Sequence, residues 1–316
     1  MRKEEFTFDS RDGKSKIYAC SWIPEEPPLC ILQIIHGMND HMGRYEEFAS
    51  YLAQRGILVV GEDHLGHGKT VPDGGTYGYF CEHDPATVVV RDVHRLKKIT
   101  EEKYPTVPYI IFGHSMGSFI VRNYIARYGT GIRGAILSGT GTPTKAELNF
   151  GKCLAKIMEK VKGPKEVVGL LHDISRKSYM SGIKNAKTEH DWLTTDEDEI
   201  EKYAGDPLCT GFRFTVNGYQ TLFELAYRMQ EKEILHKIPK KLPILIVSGT
   251  EDPVGAKGLA PKQLYDEYLN LDLTKVTLKL YQGARHELLF EKVKDTARED
   301  IYSWIEKVAM EIQGGK

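Results

Sequence analysis

Tyr109-Ile-Ile-Phe-Gly-His-Ser-Met-Gly-Ser-Phe-Ile-Val-Arg-Asn-Tyr124 changes its hydrophobic period halfway along. Tyr109 to Phe112 form a short β-prone run that follows the breakers Pro105 and Pro108. From Phe119 onward, Ile120, Ile125 and Ala126 recur with helical spacing. Between the two lies Gly113-His114-Ser115-Met116-Gly117, a G-x-S-x-G pattern in the strand–turn–helix context of a nucleophile elbow. Such a turn holds its serine in strained backbone geometry, and glycines at both ends let strand and helix approach without side-chain clashes. Ser115 Oγ is therefore expected at the C-terminal end of a parallel strand, above a helix N-terminus. A lone G-x-S-x-G match is suggestive only, so the weight falls on whether the other chemical groups follow in order.

Outward from this stretch, buried-strand patterns alternate with helical ones. Phe6–Phe8 and Ile17–Trp22 read as a hairpin turned at Asp12-Gly13. Leu29–Ile35 and Ile57–Val60 are nearly continuous apolar runs, as strands covered on both faces require. A helix is expected over 44–54, with Tyr45, Phe48, Tyr51 and Leu52 on one face, and another over 87–100. Helix 118–128 and strand Gly134–Ser138 follow the elbow. The succession implies a mostly parallel sheet flanked by helices, an α/β class, with ligands beyond the C-terminal strand ends.

The pattern changes over 142–241. Leu154, Ile157, Met158 and Val161 are spaced for an amphipathic helix, as are Leu222, Leu225, Ala226 and Met229, and no buried-strand run occurs. This reads as a helical cap inserted between two parts of a core, 1–141 and 242–316. The sheet pattern resumes at Pro243–Gly249 and Val276–Tyr281, separated by a helix over 257–269. A helix over 292–311 closes the chain.

Composition narrows the function classes. With 41% hydrophobic and 28% charged residues the chain is ordinary for a globular protein. A net charge of −1 gives no electrostatic footprint for nucleic acid, and no nucleic-acid partner is expected. The N-terminal residues lack the apolar core of a signal peptide, and no apolar run approaches a membrane span. Five scattered cysteines (Cys20, Cys30, Cys81, Cys153, Cys209) without C-x-x-C read as free thiols in a reducing compartment, hence a cytoplasmic location.

Three reactive side chains fall at predicted strand ends in the order Ser115, Asp252, His286. The order Ser…Asp…His is that of α/β-hydrolase folds. An unactivated serine hydroxyl is a poor nucleophile, so His286 would take its proton and Asp252 would fix the imidazole tautomer. Glu251 competes for the acid's role; the spacing after Gly249 favours Asp252. The turn at His36-Gly37-Met38 could aim the Met38 N–H at a substrate carbonyl oxygen, with the Met116 N–H as second donor of an oxyanion hole. His64 and His67 resemble a metal pair, but no acidic or thiol partner has ligand spacing, so they are expected to be hydrogen-bonded structural residues. Cys81 and Cys209 are expected to be buried as small hydrophobes.

His36-Gly-Met-Asn-Asp-His-Met-Gly-Arg-Tyr45, Asp63-His-Leu-Gly-His-Gly68, Gly113–Gly117, Asp206-Pro-Leu208 and Arg285-His-Glu287 together resemble the monoacylglycerol lipase/lysophospholipase group of α/β-hydrolases. The resemblance spans nearly the whole chain. It implies a serine hydrolase of single-chain lipid esters, working without metal or cofactor under a mobile helical cap. It also implies that Asp40, Arg44 and Tyr203 face the polar end of the substrate. Met38 stands where small residues are common in the group, and Leu289 where animal members have a second histidine. The Arg285-His-Glu287 segment is closer to bacterial lysophospholipases.

The apolar side chains of the insertion, Leu154 and Met158 among them, would form an acyl-chain wall, and the cap could touch a membrane surface transiently. Two rival classes remain beside this reading. One is a general esterase or peptidase with the same three residues, and the other is a catalytically silent ligand-binding protein. Epoxide and haloalkane hydrolases are disfavoured because they use aspartate where Ser115 stands. Oligomeric state is not legible from these residues.

Overall fold

The computed structural model describes residues 1–311. Eight strands form one sheet: β1 Arg2–Asp9, β2 Lys16–Ile23, β3 Cys30–Ile35, β4 Ile57–Glu62, β5 Tyr109–His114, β6 Gly134–Ser138, β7 Ile244–Gly249 and β8 Val276–Tyr281. Their order is β1-β2-β4-β3-β5-β6-β7-β8. Only β2 runs against its neighbours; β4, β3, β5, β6, β7 and β8 are parallel. From β3 the chain passes to β4 on one side and later to β5 on the other. That reversal opens a crevice beyond the C-terminal ends of β3 and β5, where open α/β sheets bind ligands.

The helices are α1 Glu46–Ala53, α2 Pro85–Lys103, α3 Met116–Tyr128, α4 Lys145–Lys162, α5 Gly169–Met180, α6 Glu197–Gly205, α7 Pro207–Thr210, α8 Val216–Arg228, α9 Lys232–Leu235, α10 Leu259–Asn270 and α11 Lys294–Met310. Strand side chains alternate between the two sheet faces. Ile31, Ile111, Ala135 and Ile246 share one core with Val93 and Leu96 of α2 and Ile120 and Tyr124 of α3. Leu32, Phe112, Ile136 and Val247 share the other with Phe48 and Leu52 of α1 and Ile301 and Ile305 of α11. Double coverage is why β3 to β7 read as continuous apolar runs rather than alternating ones. Edge strand β8 alternates instead, with Thr277 and Lys279 exposed.

Strand and helix positions match the sequence expectation within a few residues, the largest difference being β1, which starts at Arg2 rather than Phe6. The helix expected from Arg44 begins as a 3₁₀ turn, Met42–Tyr45, before α1. The elbow helix starts at Met116, directly after Ser115, rather than at Ser118.

The segment between β6 and β7 holds α4 to α9 and, among the described residues, no strand of the sheet. Thr144 and Glu147 form a capping box that starts α4 where the chain leaves the core. α8 packs against α3, and α4 packs against the outer side of α8. No described helix is long and apolar enough to cross a membrane.

Candidate active site

The elbow is built by close backbone approach. Ser115 stands at φ 52° and ψ −120°, outside the regions open to most L-residues. A Cβ on Gly113 would lie 2.4 Å from the Gly117 carbonyl oxygen, and one on Gly117 would lie 2.0 Å from that of Ile35. Larger residues at either position would force β5, α3 and the end of β3 apart. The Ser115 N–H is tied to the Ser138 carbonyl oxygen of β6 at 2.9 Å.

His286 follows β8 and Asp252 follows β7; both are fully buried. His286 Nδ1 lies 3.0 Å from Asp252 Oδ1, so that nitrogen carries the proton and Nε2 is left as the basic one. The carboxylate is itself fixed, since Oδ1 also accepts from the Val254 N–H at 2.9 Å. Burial alone would lower the His286 pKa; the charge and hydrogen bond of Asp252, with Glu287 and Asp40 further off, outweigh it and raise the pKa above the ordinary value. His114 nearby behaves oppositely: burial and His286 push it down to about 4, so it is neutral near pH 7. Glu251 is half exposed and reaches Lys257 at 3.4 Å, away from the imidazole.

Ser115 and His286 line one cleft with Met38, Met116, Asp40 and Tyr203, about 1150 Å³ including its open mouth. Among the described residues, neither the Met38 nor the Met116 N–H donates to a protein acceptor. Phe119, Leu193, Phe212, Tyr219 and Leu222 give the cleft an apolar flank, whereas His172, Arg176, His190 and Arg213 bring polar groups.

Three of the expected substrate contacts are not among the residues that line the cleft. Arg44 does not line the cleft. Its guanidinium makes a two-pronged pair with Glu287 (2.8 and 2.7 Å), reaches Asp40 at 3.2 Å, and packs on the Tyr203 and Phe290 rings. Leu154 and Met158 do not line it either, because α4 turns them onto the core it shares with α8. Asp40 reaches the cleft but is nearly saturated by Gly37 N–H, His41 N–H, the Tyr45 hydroxyl and Arg44. Burial would raise its pKa; Arg44, His36, His114 and Tyr45 hold it well below the usual carboxylate range.

Among the expected structural histidines, His67 donates Nδ1–H to the Leu65 carbonyl at 3.0 Å, and the His64 backbone N–H donates to His36 Nε2. The His64 ring nitrogens, by contrast, have no hydrogen-bond partner among the described residues. Cys81 and Cys209 are buried, and all five cysteines are free. His41, Asp206 and Cys209 bring one ligand-type atom each within 4.8 Å of one another, a grouping not anticipated from spacing. It fits a metal poorly. His41 Nδ1 already accepts from the Gly43 N–H, so Nε2 carries the proton that Asp206 accepts at 2.8 Å.

Two further features went unread in the sequence. Trp192 places its indole 5.0 Å from the His286 ring, and Tyr179 lies 4.6 Å from Trp192. Glu291 accepts from the Thr195 and Arg285 N–H groups, fastening residues beyond Trp192 to the loop that carries His286. A tryptophan in a polar stretch, Glu189-His-Asp-Trp192, was the available signal for the first.

A family model described as serine aminopeptidase, S33, matches residues 26–293. Monoacylglycerol lipase of Mycolicibacterium smegmatis is 28% identical over 306 residues, covering 96% of this chain and 97% of its own. Human monoglyceride lipase is 27% identical over 295 residues, with 90% and 84% covered. Among solved structures, a highly thermostable carboxyl esterase from Bacillus coagulans, in complex with glycerol, superposes with a TM-score of 0.90 at 30% identity. The superposition covers 98% of this chain and 99% of that one.

Proposed function

The chain belongs to the serine aminopeptidase S33 family and is a monoglyceride lipase-like serine ester hydrolase of the α/β-hydrolase fold, and on that premise we propose that it cleaves single-chain lipid esters, monoacylglycerols or lysophospholipids, with Ser115 as nucleophile, His286 as base and Asp252 as its orienting acid. The observation that carries this reading is the buried His286–Asp252 pair, which opens onto the same cleft as a serine held in a left-handed elbow.

Ser115 Oγ attacks the ester carbonyl as its proton passes to His286 Nε2, and the resulting imidazolium donates through Nδ1 to Asp252. Negative charge developing on the carbonyl oxygen is met by the uncommitted N–H groups of Met38 and Met116. His286 then protonates the leaving alcohol, and water, activated by the same imidazole, releases the acid from Ser115.

The cleft also supports a single acyl chain. Phe119, Phe212, Tyr219 and Leu222 supply its apolar flank, and Asp40 and Tyr203 also line it, the polar groups proposed to meet the head of the substrate. Residues 142–241 act as the cap over it. Part of the cap's outer surface is apolar: Phe150, Ile157 and Val161 on α4, with Val167, Leu170 and Ile174 in and before α5, are exposed. Such a face suits transient contact with a lipid surface.

Steady-state rates on monoacyl esters from acetyl to palmitoyl, beside triacylglycerols and aminoacyl anilides, test the reading. Each buried CH₂ contributes about 0.8 kcal/mol, so long-chain monoesters should exceed acetyl esters and triacylglycerols at least roughly tenfold in kcat/KM. A flat or falling series overturns the lipid assignment, and faster cleavage of anilides favours the peptidase reading.

A further inference from the structure

We infer that Trp192 is a positioning residue for the imidazole of His286, holding the ring in its productive orientation and connecting it to the cap. The inference rests on His286 acting as the base.

One hydrogen bond, from Nδ1 to Asp252, fixes a single point of the ring and leaves its tilt about that point to packing. The surroundings of His286 are correspondingly tight. A Cβ at Gly139 would come within 3.0 Å of its Cε1, the His114 ring centroid is 4.8 Å away, and the indole of Trp192 lies across it at 5.0 Å and 36°. Of these neighbours, Gly139 and His114 stand at the C-terminal ends of β6 and β5, whereas Trp192 comes from the stretch between α5 and α6.

The residues that directly follow Trp192 are tied to the same loop that carries His286. The Glu287 N–H donates to the Leu193 carbonyl at 2.8 Å, and the Thr194 hydroxyl donates to the Phe290 carbonyl at 2.9 Å. Thr195 donates from its N–H and its hydroxyl to the two oxygens of Glu291, at 2.7 and 2.6 Å. Arg285 Nη1 donates to the Thr194 carbonyl at 3.0 Å. Residues 193–195 are thus fastened to 285–291 by five hydrogen bonds. A loop that only covered the site would not need a clamp directed at the segment bearing the histidine. Beyond the indole, Tyr179 of α5 lies against it at 4.6 Å and 30°, so a stack Tyr179–Trp192–His286 runs from the cap to the base.

The contact gives a direct observable. When His286 gains a proton, the charge appears beside an indole face, where a cation is stabilised and changes the ring's electronic environment. The other ionisable groups facing His286 are Asp252, Glu287, Asp40 and His114.

The chain has three tryptophans, Trp22, Trp192 and Trp304. In fluorotryptophan-labelled protein, the fluorine resonance assigned to Trp192 should titrate with the midpoint of the acid limb of kcat/KM. The Trp22 and Trp304 resonances should not follow it, and the Trp192 titration should vanish in His286→Asn. Kinetically, Trp192→Ala should lower kcat by roughly 10- to 100-fold with KM changed much less, as misplacement of a catalytic group does. Trp192→Phe, which keeps a ring face, should recover most of the loss. A Trp192 resonance that ignores the acid limb overturns the inference, whether or not the alanine variant folds, as does equal kcat in the alanine and phenylalanine variants. Failure of the base assignment shows separately, as unimpaired hydrolysis by His286→Asn.

Discussion

Ser115, at φ 52°, carries backbone strain of order 1–3 kcal/mol, which persists only where the surroundings over-determine it. Here the tight approaches at Gly113 and Gly117 do so. As the proposed base, His286 would carry the pH dependence. Only neutral imidazole accepts the serine proton, and its folded-state pKa is raised above the usual value of about 6.5. The acid limb of kcat/KM should therefore have its midpoint above that of a free histidine, with activity lost as pH falls through it; a midpoint below about 6 in a pH–rate profile would contradict this. Arg44 supplies a stability prediction. It neutralises two buried carboxylates, Asp40 and Glu287, so Arg44→Met should cost about 3–5 kcal/mol in urea unfolding because both charges lose their partner. A loss below about 1 kcal/mol would show that the pair contributes little. The placement of Ser115, Asp252 and His286, the proposed triad, was legible because each follows a strand run with its own turn chemistry. The true partner of Arg44 was not legible: Glu287 is 243 residues away, and only tertiary folding brings them together.

At the scale of elements, β3 to β7 were readable because burial on both faces leaves a continuous apolar run. The faces of α4 were harder to read. Its hydrophobic spacing is genuine, but periodicity says which residues share a side, not what that side meets. Leu154 and Met158 meet the core beside α8, while Phe150 and Val161 are 66% and 72% exposed. That division packs α4 on one side and leaves the other side exposed and apolar, the face proposed above for lipid contact. A Phe150→Asp, Val161→Asp variant should keep its unfolding free energy and its rate on dissolved short esters. On monoacyl esters embedded in vesicles it should lose at least roughly tenfold, since two side chains are worth about 3 kcal/mol when they enter lipid. Equal rates of the variant and the parent on vesicles would remove the lipid-contact role from this face.

Across the whole molecule, the sheet delivers its reactive groups from distant sequence positions to one edge: Ser115 after β5, Asp252 after β7 and His286 after β8. The segment between β6 and β7 adds the cleft's apolar flank and, through Trp192, a contact with the imidazole itself. Alternation of strand and helix disclosed the first arrangement; the clamp between 193–195 and 285–291 has no local signature, because it joins segments some ninety residues apart. The central claim is that ester cleavage passes through an acyl group on Ser115. Rapid acid quench during turnover of a palmitoyl monoester, followed by intact-protein and peptide mass spectrometry, reads it directly. A mass increase of one palmitoyl group is expected, localised to the peptide containing Ser115, with neither adduct nor turnover in Ser115→Ala. Turnover with no acyl group on Ser115, or undiminished hydrolysis by Ser115→Ala, would contradict it.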